Sequence, residues 1–315
     1  VMRAFVFPGQ GSQKIGMGQD LADSFPAAKA VFDEVDDALS ENFSALIFSG
    51  SEDDLKLTEN TQPALMAVSL AVVRALEADF GIALKDHGGF VAGHSLGEYS
   101  ALAAVGALSI ADTAKLLRLR GRAMQSAVPV GEGAMAAVLG LTMEQVEDVL
   151  AQTDDSLGAA EVANDNANGQ VVISGSASAI SAASDAMKAA GAKRALPLPV
   201  SAPFHCSLMQ PAADAMAQAL ASAAIGAPAL PVVANVLAAS YDDPAQTADL
   251  LVRQVTGRVR WRESVEWMAG HGVTELVELG AGAVLAGLTK RIAPGVTAQS
   301  VGTADGLRAF AESLG

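Results

Sequence analysis

The chain holds one cysteine, Cys206, in 315 residues. No internal disulfide can form, and a reducing compartment, the cytoplasm, is expected. Aromatic residues are scarce at 4%, so the core must be built from small and aliphatic side chains, as in helices packed closely on a sheet. Basic residues are in the minority, with 20 Lys and Arg against 35 Asp and Glu and a formal net charge of −15. That balance argues against nucleic acid as the main partner. It also means that any anionic ligand must be met by a local basic patch. No apolar run reaches the roughly 18 residues needed to span a bilayer, so no membrane association is expected. The opening run, Met2 to Gly9, is too short in apolar length for a secretory leader, and none is expected. Histidines number four, which leaves few candidates for proton transfer.

What the chain has in quantity is alanine, glycine and alternating apolar segments. Ala4-Phe5-Val6-Phe7 reads as a buried strand ending in the polar loop Pro8-Gly9-Gln10-Gly11-Ser12-Gln13. Helical patterns run from Asp20 to Leu39, from Gln62 to Phe80 and from Ile110 to Ser126. The rhythm then changes. Ala134 to Leu139 reads as a strand, and Thr142 to Gln152 as a helix with Thr142 and Gln145 forming a capping box. Glu161 to Asn164 and Gln170 to Ser174 read as strands joined by a polar turn. Ala177 to Ala190 is a helix and Lys193 to Leu198 a strand. The order βαββαβ is the ferredoxin-like motif. The expected organisation is a large α/β domain of residues 1–128 and 199–315 with a parallel sheet core, interrupted by an inserted ferredoxin-like subdomain, residues 129–198. Strands at 231–236 and 275–280 and helices at 250–255 and 261–269 complete the large domain.

Gly93-His94-Ser95-Leu96-Gly97 is the segment most informative about chemistry. It stands between a short apolar run, Gly89 to Ala92, and a helical stretch that begins at Glu98. Strand, Gly-x-Ser-x-Gly and helix together describe a nucleophile elbow, which projects the serine hydroxyl from a sharp turn at a helix N-terminus. A serine nucleophile needs a base. His94 points away from its neighbour Ser95 and reads as structural, while His87 and His271 read as surface residues. His205, in Ser201-Ala202-Pro203-Phe204-His205-Cys206, is the best placed. Cys206 is a rival nucleophile without a glycine elbow around it. Arg120 has Leu116, Leu117, Ala123 and Met124 three and four residues away and should point inward, whereas Arg118 reads as lying on the solvated face. An inward guanidinium needs a partner. Either an Asp or Glu pairs with it, or it is a fork for a substrate carboxylate.

Taken together, these motifs resemble the malonyl-CoA:acyl-carrier-protein transacylase family. The matching segments are Pro8 to Gln13, Thr61-Gln62-Pro63-Ala64-Leu65, Gly93 to Ser100, Arg120-Gly121, Gly169 to Gly175 and Ala202 to Cys206, in the family's order. The resemblance implies a hydrolase-like α/β domain with an inserted ferredoxin-like subdomain. It implies Ser95 as the acyl-carrying nucleophile, His205 as its base and Arg120 as the partner of the malonyl carboxylate. The backbone N–H groups of Gln10 and Leu96 would form the oxyanion hole, and the Gln254 carbonyl would orient the histidine. Gln62 and Asn166 lie in matching segments as supporting residues. Leu96 and Phe204 go with malonyl rather than methylmalonyl selection. The implied substrates are malonyl-CoA and the phosphopantetheine thiol of acyl carrier protein, for fatty acid synthesis, with no bound cofactor, no metal and a monomeric enzyme. An acidic carrier would dock on one of three basic clusters: Lys193-Arg194, Arg258-Arg260-Arg262 or Lys290-Arg291. The alternatives are a malonyl loader of a polyketide pathway, a serine thioesterase or esterase, and a non-catalytic scaffold.

Overall fold

Ala4, Phe5, Val6 and Phe7 are all fully buried. A strand covered on both faces must be apolar at every position, which is the pattern of a central strand in a parallel sheet. The computed structural model describes residues 1–315 and places this strand in that position. The strands are β1 (Arg3–Phe7), β2 (Phe90–Gly93), β3 (Gly133–Leu139), β4 (Ala160–Ala167), β5 (Gln170–Ser176), β6 (Arg194–Pro197), β7 (Val232–Ala234), β8 (Ala239–Ser240), β9 (Glu275–Leu279) and β10 (Thr297–Val301). One sheet runs β10-β9-β1-β2-β7-β8. Its neighbours pair in parallel except β8, which turns back on β7. The second sheet, β4-β5-β3-β6, is wholly antiparallel. The fold is therefore mixed α/β, with a parallel-rich sheet and a separate antiparallel one.

Strand alternation sorts the parallel sheet's two faces by size. Phe5, Phe7, Val91, Val277 and Leu279 face the larger core, which contains the helix Thr58–Phe80. Ala4, Val6, Ala92 and Val233 face the other way, and the small side chains among them leave room for Trp261, Val265 and Met268 of the helix Trp261–Gly270. In the antiparallel sheet, the capping box of the helix Met143–Ala151 is made in full. Thr142 Oγ1 accepts from Gln145 N–H at 3.1 Å, and Gln145 Oε1 accepts from Thr142 N–H at 2.9 Å. No helix is long and apolar enough to cross a membrane.

The antiparallel sheet is tied to the segment that leads into the helix Trp261–Gly270. Val259 bridges to the bulged edge of β4: its N–H donates to Ala163 O at 2.8 Å, and its O accepts from Asp165 N–H at 2.9 Å. Beside this bridge the Arg262 guanidinium grips the buried Asp165 carboxylate, with Nη2 at 2.8 Å and Nε at 3.1 Å.

Several elements differ from the sequence reading. The helix expected over Asp20 to Leu39 is two helices, Gln19–Ser24 and Pro26–Leu39. Phe25 between them is extended, φ −131° and ψ 116°, because the residue before a proline is pushed out of the α region. The helix expected from Gln62 starts at Thr58, and Pro63 lies inside it. The helices Phe43–Ser49, Glu52–Lys56, Gln210–Ala221, Val284–Ile292 and Ala304–Leu314 and the strands β8 and β10 had no counterpart in the reading.

Candidate active site

β2 delivers the chain into the elbow at Gly93. The two glycines serve close approach rather than a left-handed turn. A Cβ at Gly93 would stand 1.9 Å from Gly97 C, and one at Gly97 would stand 2.3 Å from Phe7 O. The strained conformation falls on the serine itself, at φ 55°. A non-glycine residue there costs about 1–2 kcal/mol and persists only where its surroundings hold it. Asn235, just after β7, supplies that hold. Its Oδ1 accepts from Ser95 N–H at 2.9 Å, and its Nδ2 donates to Gly93 O at 2.7 Å. Sequence reasoning passed over Asn235, because nothing in a short strand-end segment marks it as facing the elbow.

Ser95 Oγ lies 2.7 Å from His205 Nε2. His205 Nδ1 lies 2.8 Å from the Gln254 carbonyl oxygen. A carbonyl can only accept, so Nδ1 carries the proton and Nε2 is left to accept from the serine. The His205 pKa is pushed down to about 3, first by burial and then by the nearby Arg120 charge. The imidazole is thus neutral at physiological pH. Like Ser95, His205 has a left-handed backbone, φ 56°. His94 faces elsewhere: its Nε2 meets Asn166 Oδ1 at 2.7 Å and its ring sits against Trp261.

Arg120 is 1% exposed on the helix Ile110–Ser126. Its Nη1 donates to Gln62 Oε1 at 2.8 Å, and its Nη2 to Gln254 Oε1 at 2.7 Å and Ser95 Oγ at 3.2 Å. Gln62 is oriented in turn by its Nε2 against Met124 Sδ at 3.8 Å. Arg120 has no Asp or Glu within 4 Å, and its Nε has no partner. Burial pulls its pKa down, but from so high a start that it stays charged. Arg118 corrects the sequence reading. It is buried rather than solvated, and it is Leu119 that faces out. Arg118 Nη2 reaches Glu41 at 3.2 Å, Nη1 donates to Asn60 Oδ1 at 2.8 Å, and the guanidinium covers the Phe43 ring. One helix thus buries two arginines. The first is neutralised by carboxylates, and the second is held by neutral amides beside a serine.

These groups open onto a cavity of about 110 Å³. Gln10, Gln62, Ser95, Leu96, Arg120, Phe204 and His205 line it from the large sheet's side. Met135 of β3, Asn164 of β4, Leu198 and Val200 close it from the antiparallel sheet's side. The backbone N–H groups of Gln10 and Leu96 donate to no protein acceptor. Asn166, expected as a supporting residue of the substrate site, does not line the cavity. It is the extra residue of a β-bulge between Asp165 and Ala167, and its amide goes to His94. Asn164, two residues earlier, lines the cavity with a buried Oδ1 that has no partner. Both asparagines lie in one polar stretch, and only the bulge separates their directions.

An elbow serine, a neutral histidine and two unpaired backbone donors on an α/β sheet define an acyl-transfer site. The acyl transferase domain family matches residues 4–306 of the chain. The malonyl CoA-acyl carrier protein transacylase of Escherichia coli K12 is 45% identical over 98% of both chains. A solved acyl-carrier-protein S-malonyltransferase from Bartonella henselae is 54% identical and superposes with a TM-score of 0.97, covering 100% of this chain and 99% of its own. A solved malonyl-transacylase in complex with its type II polyketide acyl-carrier protein is 43% identical, with a TM-score of 0.95 over 99% of this chain and 100% of its own. The chain belongs to the malonyl CoA-acyl carrier protein transacylase family.

Proposed function

We propose that this protein moves the malonyl group from malonyl-CoA to the phosphopantetheine thiol of an acyl carrier protein for fatty acid synthesis. It does so through a malonyl ester on Ser95. The observation that carries the reading is Arg120, a buried cation with no carboxylate partner, 3.2 Å from Ser95 Oγ. An esterase has no use for such a group. An acyl donor that ends in a carboxylate supplies the missing partner.

The reaction follows from the geometry. His205 Nε2 takes the Ser95 proton as Oγ attacks the thioester carbonyl carbon. The carbonyl oxygen becomes an oxyanion and takes the free N–H groups of Gln10 and Leu96, each worth about 2.7–4 kcal/mol in comparable sites. The C–S bond breaks, the proton on His205 passes to the departing CoA thiolate, and the malonyl ester remains. The carrier thiol gives its proton to His205, attacks the ester, and Ser95 regains its hydrogen. Because the depressed pKa keeps His205 neutral, the base is available across the physiological range. No Asp or Glu is needed behind it, since the Gln254 carbonyl fixes its tautomer.

The direct test is the intact mass of the protein after brief incubation with malonyl-CoA, followed by addition of the carrier. One malonyl adduct should appear, and the carrier should remove it. Free CoA without an adduct, in amounts beyond the enzyme present, would turn the reading to hydrolysis.

Two further expectations arise from the walls of the site. Phe204 is 7% exposed and lines the cavity. Replacing it with serine makes room for a methyl branch. Phe204→Ser should raise methylmalonyl-CoA use relative to malonyl-CoA by about tenfold, and unchanged relative rates in a competition assay would count against this role. On the outer surface, Arg258, Arg260 and Arg262 are each paired with carboxylates of Glu147, Glu263, Asp165 or Glu266. Lys193, Arg194, Lys290 and Arg291 are exposed with no carboxylate within 4 Å, and Lys193, Arg194 and Arg291 line one concavity. We place carrier docking there. Arg291→Glu should raise the carrier's KM several-fold and leave ester formation from malonyl-CoA unchanged. An unaltered KM removes this patch.

A further inference from the structure

No step of the reaction uses Glu98, yet it is 1% exposed, in the first turn of the helix Gly97–Ala104 that follows the elbow. Its Oε1 accepts from Asn235 N–H at 2.8 Å and from Gln254 Nε2 at 3.1 Å. The Gln254 amide is where the site's parts meet. Its Nε2 also donates to Ser95 O at 3.0 Å and approaches Asn235 Oδ1 at 3.3 Å. Its Oε1 accepts from Arg120 Nη2 at 2.7 Å, and its main-chain oxygen holds His205. Three acceptors therefore surround the NH2 end of one amide, and a guanidinium meets the other end. Turning the amide over would set N–H against the guanidinium and oxygen against oxygen. Ser95 O and Asn235 Oδ1 are each fixed by other contacts. Glu98 is the side chain whose placement serves Gln254 and Asn235 alone.

We propose that Glu98 is a positioning residue for acyl selection: its Oε1 locks the Gln254 amide, and through it the Arg120 guanidinium, in place beside Ser95. The proposal rests on the acyl-transfer reading above. What matters is the reach of the oxygen rather than the charge. Burial pushes the Glu98 carboxyl up to about 7, against the pull of Asn235, Gln254 and Arg120, so the charge is not securely held.

Two conservative variants separate reach from charge. Glu98→Asp keeps the acid but retracts it by one methylene, about 1.5 Å. Glu98→Gln keeps the reach and an accepting oxygen and drops the charge. The purified proteins are mixed briefly with equal malonyl-CoA and acetyl-CoA, and the two Ser95 esters are weighed by intact mass. Their ratio reports only folded protein, so a loss of stability cancels. Glu98→Gln should stay within about threefold of the parent ratio, while Glu98→Asp should lower malonyl over acetyl by about tenfold or more, since a misplacement of about 1 Å can cost 100-fold. The reverse order means that Glu98 acts by charge, and overturns the proposal. An unchanged ratio in both, even with both rates reduced, means a purely structural role, and also overturns it. A parent protein that forms no ester removes the acyl-transfer reading itself, an outcome distinct from either result with the variants.

Discussion

Ser95→Ala should fold normally and gain no mass from malonyl-CoA, with transfer to the carrier falling by about a million-fold, as when the nucleophile of a serine hydrolase is removed. The expectation rests on geometry specific to this serine. Its Oγ is the atom 2.7 Å from a histidine that is held in the accepting tautomer. The nearest rival, Cys206, is fully buried, with Sγ donating to Pro203 O at 3.2 Å and its pKa raised by burial. A thiol in that state is a poor nucleophile. An adduct that persisted in Ser95→Ala would place the ester elsewhere and sink the mechanism. Stability gives an independent check on the elbow. Alanine keeps the Cβ and therefore the strain at φ 55°, whereas glycine does not. Ser95→Gly should thus melt higher than Ser95→Ala, by about 1 kcal/mol in unfolding free energy, although neither carries an acyl group. Equal melting temperatures would mean that the left-handed serine stores no strain.

The parts of the fold legible in the sequence are those written in local chemistry. The capping box at Thr142 and Gln145, the apolar residues 4–7 of β1 and each element of the βαββαβ order need only a short window of residues. What escaped depended on context. The helix read from Gln62 begins at Thr58, so one more turn forms ahead of Pro63. The helix Val284–Ile292 was hidden behind a glycine-rich turn. Its first turn is held from a distance, where Glu278 Oε1 accepts from Ala286 N–H at 2.9 Å. Strand β10, with Thr297, Gln299 and Ser300, carries too few apolar residues to announce an edge strand.

The site divided along the same line. Ser95 and Arg120 were legible from the residues around them, one by an elbow and one by helical spacing. His205 was chosen largely by elimination among four histidines. The roles of Gln10, Leu96 and Gln254 belong to the main chain, which no side-chain pattern can mark, and they came from resemblance alone. Arg118 failed for an instructive reason. Spacing describes only a helix's own neighbours, and Glu41, Asn60 and Phe43 reach it from other elements. Asn166 came from resemblance alone, and a bulge at that residue turns its amide to His94 rather than to the cavity. Asn164 and Asn235 offered no signal at all until the fold brought them to the cavity and the elbow.

Arg120→Ala should abolish selection for malonyl rather than reactivity in general. The buried guanidinium is held by Gln62 and Gln254 and lacks any carboxylate of its own. On the proposed reading, the carboxylate of an entering malonyl group completes a charge pair with this buried guanidinium. Removing one partner of such a pair costs about 3–5 kcal/mol, or roughly 10²- to 10⁴-fold at 1.4 kcal/mol per decade. The malonyl group then has to bury an unpaired carboxylate, so the loss falls on kcat/KM for malonyl-CoA. An acetyl group has no carboxylate to desolvate, and its rate should change little, because Ser95, His205 and the backbone donors of Gln10 and Leu96 remain. The variant should therefore form acetyl and malonyl esters at comparable rates, where the parent should form the malonyl ester almost alone. Competition between the two thioesters, read by intact mass, measures this without knowledge of the carrier. Equal losses for both acyl groups would make Arg120 a structural residue of the elbow, acting through its 3.2 Å contact with Ser95 Oγ, and the malonyl assignment would then lose its main support. A variant that keeps its preference for malonyl would place the carboxylate elsewhere. The cavity offers no other cation for it: Arg120 is the only Lys or Arg among the residues that line it.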